Sequence, residues 1–142
     1  MKRFRKINNQ DGAALVEFAI VLPVLFLLIF GMLEFSIMLY DKAMLTNATR
    51  EGTRLGILYD YPDRITETQI RLTVDGYLQN NLISLNGNPT WSYPTPPETC
   101  TDSGDMITVT VAYPYTFLVL PGFLTSLAPN LTLGATTTMR CE

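Results

Sequence analysis

An α+β protein is predicted, with a long N-terminal transmembrane helix protruding into a small exported domain that holds a second helix and a short antiparallel sheet. Three observations predict it. Residues 13–40 are apolar except for Glu17 and Glu34. The helical pattern then continues to about residue 58, with no proline between Pro23 and Pro62. Near the C-terminus, residues 106–117 alternate apolar and polar side chains, as a half-buried strand does, and a Thr-rich stretch over 131–140 reads as a second strand.

Composition narrows the function classes. The chain has 142 residues, enough for one domain besides its ends. Only 16% of them are charged and the mean hydropathy is positive, which marks one very apolar segment attached to a more ordinary part. Histidine is absent, so the commonest general acid–base and the commonest metal ligand are both missing. Two cysteines cannot build a four-thiolate metal site. The net charge is −3, and the basic residues form no patch beyond the first six positions, which argues against a nucleic-acid partner. No catalytic set, cofactor or metal site is expected. Asp102 and Asp105 lie close in sequence but lack a supporting cluster and read as solvated.

Residues 1–12 form a basic leader with Lys2, Arg3, Arg5 and Lys6. Residues 13–40 are long enough as a helix to cross a hydrocarbon core of about 30 Å. The dense leader places the N-terminus in the cytoplasm and residues 41–142 outside by the positive-inside rule. Pro23 either kinks this helix by removing a backbone bond or is tolerated near its start. Glu34 lies about 100° around the helix from Glu17; it marks the outer membrane boundary or a second subunit contact.

Beyond the membrane, Met44, Leu45, Ala48, Leu55 and Leu58 recur at helical spacing once Gly52 is counted, while Lys42, Asn47, Arg50 and Arg54 lie elsewhere on the wheel. Ala48, Gly52 and Gly56 are four apart and make a smooth strip where another backbone can approach. Its partner is the chain's own sheet or another subunit. One helix over 13–58 would be about 70 Å long and must protrude.

Tyr61-Pro62-Asp63 ends that helix. Asp63 or Thr66 caps the next, whose apolar face is Ile70, Val74, Tyr77 and Leu78, up to about residue 82. Residues 86–105 carry Pro89, Pro94, Pro96 and Pro97 and read as loop, with a short strand around Trp91. If the two later strands pair antiparallel, Cys100 and Cys141 come together as a disulfide, a crosslink worth about 4 kcal/mol in the chain-entropy model. The connection over 117–127 is unusually apolar for a loop. It is core, or a docking patch for another subunit or the membrane surface.

The informative junction is Gly12-Ala13-Ala14-Leu15-Val16-Glu17-Phe18. A secretory signal is cut after its apolar stretch at a small-x-small site, and residues 32–40 offer no convincing one. Cleavage after Gly12 would instead leave the helix on the mature protein and create an amine at Ala13. This arrangement resembles the class III signal of type IV pilin-like proteins. The stretch GAALVEFAIVLPVLFLLIFGMLEF, followed by NATREGTRLGIL and the closing ATTTMR, is similar to the TadE-like family of the Tad (Flp) pilus machinery.

The resemblance implies a minor pilin or pseudopilin, needed for pilus biogenesis and surface adherence. A prepilin peptidase would cut after Gly12, making Ala13 the mature N-terminus and Glu17 the fifth mature residue. Partners would be that peptidase, other pilin or pseudopilin subunits and the pilus assembly platform. The protein would sit in the cytoplasmic membrane as a single-pass protein and enter an extracellular pilus after processing. A glutamate inside a membrane helix costs about 2.5–3.5 kcal/mol at its centre and less near an interface. Placing Glu17 beside a neighbour's Ala13 amine would offset both charges and set subunit register; alternatively, Glu17 is an interfacial residue at the mouth of the helix. The main rival is an unprocessed bitopic anchor that scaffolds the pilus or secretion machinery. An adhesive protein using Trp91 and the Pro-rich loop is the third reading.

Overall fold

The computed structural model describes residues 9–60, 63–84, 87, 89–117 and 131–142. Lys2, Arg3, Arg5 and Lys6 of the leader, the Tyr61-Pro62 break and all but Phe117 of the apolar 117–127 connection lie outside the described residues.

Helix α1 runs over Asn9–Gly56 and continues through Pro23. It therefore begins upstream of Gly12, not after it. Two short strands, β1 (Tyr59–Asp60) and β2 (Asp63–Arg64), pair antiparallel where the sequence signalled only a break. Asp63 is thus taken up in a strand, and Thr66 caps α2 (Glu67–Asn81). Its hydroxyl accepts the Gln69 N–H at 3.4 Å, and the Gln69 side chain accepts the Thr66 N–H at 2.8 Å. This reciprocal box satisfies donors that a helix start leaves open. Ile70, Val74 and Leu78 form the buried face of α2, at the spacing that puts them on one side.

Strands β3 (Met106–Tyr115) and β4 (Leu131–Arg140) pair antiparallel from Met106↔Arg140 to Tyr115↔Leu131. Alternation sends Ile107, Val109, Val111, Tyr113 and Tyr115 inward, opposite Leu133 and Ala135. The outer face carries hydroxyl pairs, Thr108–Thr138 at 3.0 Å and Thr110–Thr136 at 3.1 Å. Near Trp91 the expected strand is reduced to one bridge, Ser92↔Ala112.

The core forms where the outer half of α1 meets α2 and the sheet. Leu45 and Ala48 of α1, Ile70, Val74 and Leu78 of α2, and Val109 and Val111 of β3 all belong to it. At Gly52 and Gly56 the close-approach strip faces α2, with β3 joining only at Gly56. A methyl at Gly52 would overlap Val74 Cγ2. One at Gly56 would stand 2.5 Å from Ile107 Cδ1 and 2.9 Å from Ile70 Cδ1.

Gly52→Leu is expected to destabilise the full chain by about 1–3 kcal/mol through overpacking, since β-branched Val74 cannot swing aside. Gly76 on α2 has nothing within 4 Å of an added methyl, so Gly76→Ala should stabilise by about 0.5–1 kcal/mol. Urea denaturation in detergent reads both.

Candidate functional site

Helix α1 has two halves with opposite environments. No residue over 13–33 is buried, and Met32 is still 67% exposed. Two residues later Glu34 is 3% exposed. From there Asp41, Leu45, Ala48, Thr49, Gly52, Thr53 and Gly56 follow as a continuous buried stripe. The exposed part alone spans about 32 Å at 1.5 Å per residue, close to a hydrocarbon core of about 30 Å. By length and composition it suffices to cross a membrane. Hydropathy alone carries the apolar run on to Tyr40, because Phe35, Leu39 and Tyr40 remain exposed on the face that the domain leaves open.

The buried stripe is pinned by polar groups. Glu34 does lie where the exposed part ends, but it meets the domain there instead of solvent. The Tyr115 hydroxyl, at the end of β3, donates to Glu34 Oε1 at 2.6 Å. Burial first, and then this bond, push the Tyr115 hydroxyl well above the ordinary tyrosine range, which keeps it a donor. Two turns along the helix, Asp41 Oδ1 accepts the Ile83 N–H at 3.0 Å, just beyond α2. Asp41 Oδ2 is buried and has no hydrogen-bond partner among the described residues. Burial raises the Asp41 pKa above the usual 3.8, against the lowering effect of the Ile83 N–H. The Thr49 and Thr137 hydroxyls meet at 2.9 Å, and the Thr53 hydroxyl donates to the Thr49 carbonyl at 2.6 Å. Lys42 Nζ donates to the Gly134 carbonyl on β4.

Gly12, Ala13 and Glu17 lie on the exposed half. A Cβ at Gly12 would have open space around it. Ala13 and Glu17 are both exposed and four residues apart, hence on one face. Cys100 and Cys141 are disulfide-bonded, with Cα atoms 5.9 Å apart. The bond closes the end of the sheet away from Glu34, where the Cys141 N–H donates to the Asp105 carbonyl at 2.7 Å. The Asp105 carboxylate accepts from the Thr101 hydroxyl and, at 2.9 Å, from the Asp102 N–H. These bonds hold its pKa below the ordinary value. Trp91 is half-buried, and its indole N–H donates to Asp75 Oδ1 at 2.6 Å, as does the Tyr93 hydroxyl at 2.6 Å. Those bonds strap the Pro-rich segment to α2. Among the described residues, no three His, Cys, Asp or Glu side chains gather where they could share a metal ion.

Residues 12–54 match the family model described as TadE-like protein. The matched residues all lie within helix α1. The match begins at Gly12 and ends two residues before the helix does. No curated protein and no solved structure matches the chain. The matched segment holds Glu34, Asp41, Thr49 and Thr53, the buried polar residues among those described. Sequence reasoning placed Asp41, Thr49 and Thr53 on no buried face, because polarity argues for solvent. The available signal was the seven-residue spacing of Glu34 and Asp41, which puts them on the side that carries Leu45 and Ala48.

Three outcomes follow from this geometry. Tyr115→Phe leaves Glu34 buried without that donor and should cost about 1–3 kcal/mol. Because the Asp41 pKa is raised on folding, the folded state binds the extra proton above the unfolded pKa. The stability contribution of Asp41 is therefore greatest below about 3.8 and falls as pH rises through its folded value. Asp41→Asn should remove that slope while keeping the Ile83 bond, and thermal melts at a series of pH values in detergent measure it. Reducing the disulfide should cost about 4 kcal/mol for a loop of this size, read as a lower urea midpoint.

Proposed function

We propose that this protein is a minor pilin or pseudopilin of a Tad/Flp-type pilus, processed by a prepilin peptidase between Gly12 and Ala13 and needed for pilus assembly and adherence. The observation that carries this reading is the TadE-like match over residues 12–54, which begins at Gly12 and covers a helix exposed over residues 13–33. The basic leader before Gly12 adds the charge asymmetry that keeps the N-terminus inside. Cleavage there removes the leader and keeps the apolar helix, which then serves first as a membrane anchor and later as an assembly surface. Other subunits, the peptidase and a membrane assembly platform are the partners. The role is structural, not catalytic.

Glu17 supports subunit register in this reading. It is exposed on the same face as Ala13 and makes no hydrogen bond or ion pair among the described residues. A neighbour's Ala13 amine would offset its charge within an apolar filament core.

An uncut membrane anchor for the same machinery is the second reading. The observation in its favour is that α1 already includes Asn9 to Gly12, so the peptide bond to be cut lies within helix and must unwind to enter a peptidase. Intact mass and N-terminal sequencing of protein from native membranes and from sheared surface material separate the two. Processing predicts a chain starting at Ala13, and accumulation of full-length chain when Gly12 is replaced by a bulky residue. A chain that begins at Met1 in both fractions sinks the pilin reading.

A further inference from the structure

We infer that the end of the domain at Glu34 is seated on the lipid bilayer itself, with Tyr115 and Phe117 at headgroup level, so that the protein holds the membrane by the foot of its sheet as well as by α1. The inference rests on the membrane-spanning part of the reading above and is independent of cleavage at Gly12.

The geometry fixes which end of the domain meets lipid. Burial on α1 begins at Glu34, directly after the exposed apolar stretch. Leu33 and Phe35 on either side of it are 49% and 56% exposed. A span of about 30 Å leaves no length of bare helix between the hydrocarbon and the first packed residue. Tyr115 is bonded to Glu34 across that boundary, and Leu131 is its partner on β4. Both strands therefore have their Tyr115/Leu131 ends at the level of Glu34, while the disulfide and Gly56 mark the far end.

The chemistry of this end suits an interface. Half-buried Phe117 stands edge to face on the buried Tyr115 ring, with centroids 5.9 Å apart, and an aromatic side chain that keeps an exposed edge is favoured where hydrocarbon meets headgroups. Strand β3 carries no Asp, Glu, Lys or Arg, and β4 carries only Arg140, at its far end, so no charge from the Tyr115/Leu131 end of the sheet opposes contact with lipid. Two charged pairs among the described residues lie away from this end, Arg54–Glu51 toward the outer end of α1 and Arg71–Glu67 at the start of α2.

Tryptophan quenching in vesicles tests the inference. The chain has one tryptophan, Trp91, held against α2 by Asp75. The full chain is reconstituted into phosphatidylcholine vesicles with and without bromine near the headgroup end of the acyl chains. Wild type should keep nearly all its emission. Phe117→Trp should add a component that is blue-shifted and mostly lost to brominated lipid, and Thr132→Trp, at an exposed position one residue into β4, should do the same. The second variant serves if the first does not fold. Phe26→Trp, on the exposed half of α1, reports the span itself. Quenching of Phe26→Trp without quenching at either 117 or 132 overturns the seating and leaves the span intact. Loss of quenching at all three overturns the span as well.

Discussion

The fold depends on one arrangement: a helix that presents carboxylates and hydroxyls, not a purely apolar stripe, to the domain it carries. Glu34 meets Tyr115, Asp41 meets the Ile83 N–H, and Thr49 meets Thr137. Apolar contacts along a helix are non-directional and fix register less sharply. Buried polar groups fix it more sharply, since a shift of one turn leaves each without its partner at about 1–3 kcal/mol apiece. The bonds therefore fix where along α1 the sheet sits. Close packing at Gly52 and Gly56 fixes how near α2 comes.

That register has a mechanical consequence. The exposed and packed halves are one continuous helix, so whatever fixes the outer half to the sheet also fixes the direction of the inner half. Pulling on the apolar half would load the Glu34–Tyr115 bond first, because it is the contact nearest the exposed stretch. In a pilin-like role, Glu17 would set position between subunits, and the buried stripe would set the domain's position on its own helix.

Much of this was legible in the sequence. The long helix, α2 and the two strands follow from periodicity and composition, while capping left Asp63 and Thr66 both open and the fold settles it on Thr66. The disulfide follows from strand pairing that puts Cys100 beside Cys141. Legibility failed where tertiary contacts override local preference. Asp41, Thr49 and Thr53 read as surface because nothing local indicates that Ile83 and Thr137 arrive from distant parts of the chain. The pairing of Tyr59–Asp60 with Asp63–Arg64 was hidden behind a proline signal that marks a turn without saying what flanks it. Nothing local in the sequence pairs Glu34 with Tyr115. At the site, Gly12, Ala13 and Glu17 stand out by motif alone, and the fold adds only that they share an exposed stretch of helix.

Hydrogen exchange along α1 in the full chain, reconstituted in lipid, tests the central claim most directly. If buried polar bonds and close packing lock the outer half of the helix to the domain, backbone amides over residues 41–56 should be as strongly protected as those of β3 and β4. They should also open together with them as denaturant is added. Exchange over 41–56 that is much faster than in the sheet, or that opens separately from it, would contradict the account. The helix would then be a tether resting against the domain, with its register not fixed.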